Sequence, residues 1–191
     1  MAALDPHARR QPTHPANVSV ADGTLVLAHR GSTEAGFTGA EAHTEPLYTE
    51  GEWTALVETP SASGTVCAFF LYGYDDGIVN EIDVELLAGQ LYVGTYADWQ
   101  ESDGYDNSPT REVTVADVDT SGIHAYTIRW SPTSVDFAFD GADIASFTTA
   151  VPTGPIGLFF NHWTSTTWPE VQNPPAGDLD CRIHDVIGVP L

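Results

Sequence analysis

The chain has 191 residues, a length that suits one domain with a substantial hydrophobic core. Its net charge of −21, from 27 acids against six basic residues that are all arginine, argues against nucleic-acid binding and against attachment to an anionic membrane surface. Charged residues are only 17% of the chain, which rules out a disordered acidic tail, and the high net charge favours a soluble monomer.

Residues 1–16 are polar and contain Pro and His, and are read as an irregular segment of one domain spanning 1–191. They carry no apolar h-region, and nowhere is there an apolar run long enough to span a membrane. If Met1 is the native start, the expected location is the cytoplasm; the alternative is a leader already removed. From Asn17 onward, short strands follow one another. Asn17–Val20 and Thr24–Leu27 flank Asp22-Gly23, a two-residue hairpin signal. Glu52–Glu58 alternates apolar and polar residues and ends at Pro60. Thr65–Tyr72 is a nearly continuous apolar run, as in a central strand covered on both faces. Cys67 lies in that run, where a buried free thiol is expected, and its spacing to Cys181 is of no metal or redox type.

Residues 80–86, Asn-Glu-Ile-Asp-Val-Glu-Leu, carry the most unusual pattern. In an extended strand Glu81, Asp83 and Glu85 share one face, while Ile82, Val84 and Leu86 face the packed side. Three acids in a row repel one another and add nothing to a core. Paired carboxylates are what the hydrolysis of a glycosidic bond requires, one ionised as nucleophile and one protonated as general acid. The bland alternative is a solvated acidic face in a very acidic protein.

Further strands are expected at Leu91–Tyr96, Glu112–Val115, His124–Trp130, Val135–Phe139, Ile144–Phe147, Ile156–Trp163 and Cys181–Val186. The turn Asp140-Gly141-Ala142 joins two of them. No segment has a helical period. Many short strands at regular spacing indicate an all-β fold, an antiparallel β-sandwich such as a jelly roll. Trp130 sits at a core-like alternating position and reads as buried scaffold. Trp99 and Trp168 read as loop residues, at a site rim or simply at the surface.

Several of these segments, in order, resemble the family-16 glycoside hydrolases, β-jelly-roll (concanavalin-like) enzymes that cleave β-glucans and related polysaccharides. Glu81-Ile82-Asp83-Val84-Glu85 is similar to the family's Glu-x-Asp-x-Glu signature in its short form, typical of lichenases and xyloglucan-active transglycosylases. Gly51–Val57 with Ala68–Tyr72, His124–Trp130 with Val135–Gly141, and Phe160-Asn161-His162-Trp163 resemble neighbouring family strands. The resemblance runs from about 17 to 188. It implies Glu81 as nucleophile, Glu85 as acid/base and Asp83 as their helper. It also implies substrate contacts at Glu41, Asn161 and Trp163, with Tyr96 and His43 beside them. No cofactor is implied; a structural calcium is a family feature, but His184 stands nearest its usual Asp, and no metal ligands are assigned. Family members are commonly secreted.

The chain departs from the family pattern in places. Val79 stands where a Trp platform is common, two residues before the first Glu, and His43 replaces an Arg. These losses predict a weakened sugar platform beside intact carboxylates. Three functions follow: a retaining endo-glycosidase or transglycosylase acting on a β-linked glucan, a repurposed jelly-roll enzyme acting on a small non-polysaccharide molecule in the cytoplasm, or a non-catalytic carbohydrate-binding module. The partner is accordingly a polysaccharide or a small-molecule substrate.

Overall fold

Three Asp-Gly pairs close three of the hairpins of the fold. Asp22-Gly23 joins β1 (Val18–Ala21) to β2 (Thr24–Ser32), Asp76-Gly77 joins β6 (Val66–Asp75) to β7 (Ile78–Leu87), and Asp140-Gly141 joins β11 (Val135–Phe139) to β12 (Ala142–Phe147). All six residues have positive φ, from 46° at Asp76 to 86° at Gly77, the backbone sense that matches the twist of adjoining antiparallel strands. Asp tolerates this region better than other residues with a Cβ, and Gly enters it without cost.

The computed structural model describes residues 12–32, 36–62, 64–87, 89–100, 111–116, 118–165, 171, 174 and 176–190. The remaining strands are β3 (Gly36–Thr38), β4 (Ala40–Tyr48), β5 (Gly51–Glu58), β8 (Gln90–Gln100), β9 (Arg111–Ala116), β10 (Ile123–Trp130), β13 (Ile156–Trp163) and β14 (Leu179–Pro190), with a 3-10 turn at Pro15–Asn17. They form two antiparallel sheets. One has the order β1-β2-β14-β5-β10-β11-β12 with β3 beside β2, and the other β4-β13-β6-β7-β8-β9. The fold is an all-β jelly-roll sandwich. No described helix is long and apolar enough to cross a membrane.

The core lies between the sheets. Trp53, Ala55 and Val57 of β5 turn inward beside Ile128 and Tyr126 of β10, and meet Phe69, Leu71, Ile82 and Val84 from the other sheet. The opposite face of β5 carries Glu52, which accepts from Arg129 Nε at 3.0 Å; an exposed pair of this kind adds little stability. Trp130 is buried, as its alternation predicts. Cys67 of β6 and Cys181 of β14 are buried free thiols in the same core. Burial, first of all, pushes the Cys67 thiol well above its ordinary pKa.

Strand β4 has no strand signal in the sequence. It holds Pro46 and the polar run His43-Thr44-Glu45, which an edge strand tolerates, and among the described strands it pairs with β13 alone. Gly39, just before it, allows the approach: a Cβ there would lie 2.5 Å from the His162 carbonyl oxygen.

Asn17 fastens the first hairpin to this edge. Its buried Nδ2 donates to the carbonyls of Thr38 and Gly39 at 3.1 and 2.9 Å, and lies 3.0 Å from Thr38 Oγ1. Asn17→Ala leaves these acceptors without their donor and is expected to cost about 2 kcal/mol. The loss is measured as a lower urea midpoint at unchanged m-value, and an unchanged midpoint would show that the contact is dispensable.

Candidate active site

The two-residue turn at Asp76-Gly77 sets the register of β6 against β7, and that register assembles the site. Tyr72 stands opposite Glu81, Phe70 opposite Asp83 and Ala68 opposite Glu85. On the other side of β7, Tyr96, Gly94 and Tyr92 stand opposite the same three acids. Cross-strand partners share a face, so all of these residues lie on the side of the six-stranded sheet that faces away from the sandwich core. Ile82, Val84 and Leu86 face the core, as their alternation predicts.

Two more strands extend the rows. Asn161 pairs with Ala68 and Glu41 with Asn161, while Phe159 pairs with Phe70 and His43 with Phe159. The structure therefore brings Glu41, His43, Tyr96, Asn161 and Trp163 to the same face as Glu81, Asp83 and Glu85. At about 4.8 Å per strand, Asn161 lies about 10 Å from Glu85 along its row. Glu81 and Glu85 are about 13 Å apart at the backbone, a span that two Glu side chains leaning together on a twisted sheet can close.

The acids are well shielded: Glu81 is 1% exposed, Asp83 9% and Glu85 5%. Asn161 is also buried, and its Oδ1 accepts no hydrogen bond from the described residues. Next to the Tyr72–Glu81 row opens a groove of about 430 Å³, lined by His43, Thr44, Tyr72, Tyr74, Phe159 and Pro155. His43 stacks on Phe159 with ring centroids 5.0 Å apart, and Phe159 in turn meets Phe70 at 5.3 Å. Phe70, Tyr72, Tyr74, Tyr92 and Phe159 were not among the candidates read from the sequence. Counting back from Asp76-Gly77 as a hairpin turn would have found the first two.

Val171 packs over the other end of the row. It is fully buried against Val66, Ala68, Leu87 and Trp163. Thr164 Oγ1 lies 2.8 Å from the Gly64 carbonyl oxygen and within hydrogen-bond reach of the Val171 carbonyl, so its single proton is shared between the two and ties down this residue. Trp163 is thus on the expected face but covered. Trp168 lies outside the described residues.

Trp99 is not a loop residue. It lies in β8 and is 1% exposed. Among the described residues no cluster of His, Cys, Asp or Glu is arranged to hold a metal ion. His184 instead meets Glu58 at 3.0 Å.

A sequence model of the glycosyl hydrolases family 16 matches residues 9–176. The chain belongs to this family. The chain is similar to a beta-glucanase of Fibrobacter succinogenes, 27% identical over 137 residues that cover 68% of this chain and 39% of that protein. The chain therefore spans about two fifths of the length of that relative. Among solved structures, the Bacillus licheniformis beta-glucanase superposes with a TM-score of 0.80 at 19% identity, over 95% of this chain and 85% of that one. A prokaryotic beta-1,3-1,4-glucanase (lichenase) derived from a mouse hindgut metagenome gives 0.78 at 21% identity, over 92% and 84%. At such identities the two structures establish a shared fold.

Proposed function

We propose that this family-16 chain is a retaining endo-acting hydrolase or transglycosylase of β-linked glucans. The observation that carries the reading is the alternating row Glu81, Asp83, Glu85 on the outward face of the six-stranded sheet, shielded from water and flanked by aromatic residues. In the proposed reaction Glu85 protonates the glycosidic oxygen as the Glu81 carboxylate attacks the anomeric carbon. The C–O bond breaks and a glycosyl ester forms on Glu81. Glu85, now ionised, takes a proton from water or from a sugar hydroxyl, which attacks the same carbon and frees Glu81. Asp83 between them accepts a hydrogen bond from one Glu and disfavours the second negative charge on its neighbour.

Two features support a sugar as the ligand. The buried Asn161 Oδ1 offers an acceptor to a hydroxyl. The groove lined by His43, Phe159, Tyr72 and Tyr74 pairs aromatic surface with polar edges, the combination that pyranose rings need. The test is reducing-sugar release from lichenan, laminarin and xyloglucan by the intact protein. Turnover on at least one is expected, and none on any would sink the reading.

One observation favours a second reading, a small non-polysaccharide substrate. Val171 sits on the row at the Trp163 end and shortens the space available to a polymer. Cleavage of short aryl glycosides without cleavage of any polysaccharide would decide for it.

A further inference from the structure

Strand β8 contains a β-bulge at the level of Glu81. Glu81 pairs with Tyr96 and Val79 pairs with Trp99, so the single residue Asn80 is opposed by two, Ala97 and Asp98. Trp99 is three residues from Tyr96; on a regular strand that odd spacing would send the two rings to opposite faces. The extra residue turns the indole back onto the face that carries the carboxylates. There Val79, Tyr96 and Trp99 form a small buried cluster, joined by Tyr72 and separate from the main core. Tyr72 and Tyr96 are the two residues directly across from Glu81.

The bulge is held by a reciprocal clamp. Asn80 Nδ2 donates to Asp98 Oδ1, and the Asp98 N–H donates to Asn80 Oδ1, each at 3.1 Å. Asp98 has φ of 49°, in the left-handed region that residues with a Cβ seldom adopt. A left-handed residue within a strand, an interrupted ladder and a dedicated side-chain clamp thus converge on one outcome, the placement of an indole behind Val79 and Tyr96. Strain of this kind persists only where its surroundings over-determine it, and it gathers at functional sites.

From this we infer that Trp99, turned inward by the Asn80–Asp98 clamp, is a positioning residue for Glu81: it wedges Val79 and Tyr96 so that the Glu81 carboxylate is held against the scissile bond. The inference rests on the glucan-hydrolase reading above. Trp99 touches no substrate in this scheme; it acts through Tyr96 and Val79.

Four variants test it. Trp99→Leu removes the wedge, and Asp98→Val disfavours the left-handed residue and with it the bulge. Each is expected to lower kcat by about 10²-fold with little change in KM, the signature of misplaced reacting groups. Trp99→Phe and Asp98→Gly, which keep an aromatic wedge and a left-handed residue, are expected to recover most of the loss. Phe137→Leu, in the main core, serves as the control that lowers stability through packing alone. A folded Trp99→Leu protein with wild-type kcat overturns the inference. So does a loss that merely tracks the unfolded fraction, as in the Phe137→Leu control. The NMR titration midpoint of the Glu81 carboxyl carbon gives a readout independent of turnover, and it should move in Trp99→Leu. If the wild-type protein cleaves no glucan, the hydrolase reading falls by itself, and an unmoved Glu81 midpoint in Trp99→Leu then overturns the positioning role as well.

Discussion

Glu81→Gln is expected to reduce glucan hydrolysis by about 10⁴-fold or more, because the glycosyl ester can no longer form and no neighbouring group replaces it. Glu85→Gln should cost about 10²–10⁴-fold on substrates with poor leaving groups, where protonation of the departing oxygen matters most. Azide distinguishes the two roles. In Glu81→Ala a small anion attacks the anomeric carbon directly, from the face the nucleophile has vacated, and yields an α-glycosyl azide. In Glu85→Ala azide attacks the glycosyl ester on Glu81 from the opposite face and yields a β-glycosyl azide. Product stereochemistry is read by NMR. Activity that survives Glu81→Gln, or the two azide products interchanged, would remove the assignment of Glu81 as nucleophile. The shielded setting of both acids gives the assignment its physical sense, since charge interactions are stronger where water is excluded.

The second large effect concerns stability at mildly acidic pH. His29 of β2 and His162 of β13 are fully buried between the sheets, with ring centroids 5.6 Å apart. His29 also stacks on Phe37 at 5.2 Å, and neither of its nitrogens has a hydrogen-bond partner among the described residues. His162 Nδ1 lies 2.9 Å from the Leu27 carbonyl oxygen and donates to it. Burial, first of all, pushes both imidazoles down from 6.5 to about 4, and the Arg30 charge adds to the effect at His29. The unfolded chain therefore takes up protons at a higher pH than the folded one. Stability is intact above the unfolded value of 6.5 and is lost as pH falls from there toward 4. The loss amounts to roughly 3 kcal/mol for one imidazole. Urea midpoints measured between pH 7 and 5, before most carboxylates titrate, should fall steeply in the wild type and less steeply in His29→Leu. Equal slopes in the two proteins would mean that the buried pair does not couple to folding.

Much of the site was legible in the chain because it is written in local rules. The period of two placed Glu81, Asp83 and Glu85 on one face and Ile82, Val84 and Leu86 on the other, and the structure keeps that division. Asp22-Gly23 and Asp140-Gly141 read as turns, and Asp76-Gly77 follows the same chemistry and fixes the register that puts Tyr72 beside Glu81. Asn161 and Trp163, two residues apart on one strand, share the expected face. Strand β4 was not legible, because an edge strand with one partner needs neither apolar alternation nor freedom from proline.

By itself, then, the sequence determined the all-β class, the hairpins and the shared face of the three carboxylates, since each depends on residues within a few positions of one another. Tertiary structure alone decided what surrounds those carboxylates. Val79 suggested a missing aromatic platform, yet a bulge in the next strand turns Trp99 onto the carboxylate face, where it packs against Val79. Val171, remote in sequence from the carboxylates, covers Trp163 at the end of their row, and His29 meets His162 across the sandwich. A single extra residue reverses the facing of every side chain beyond it, and where that residue is accommodated depends on the partner strand, through contacts such as Asn80 with Asp98, rather than on any pattern within one segment.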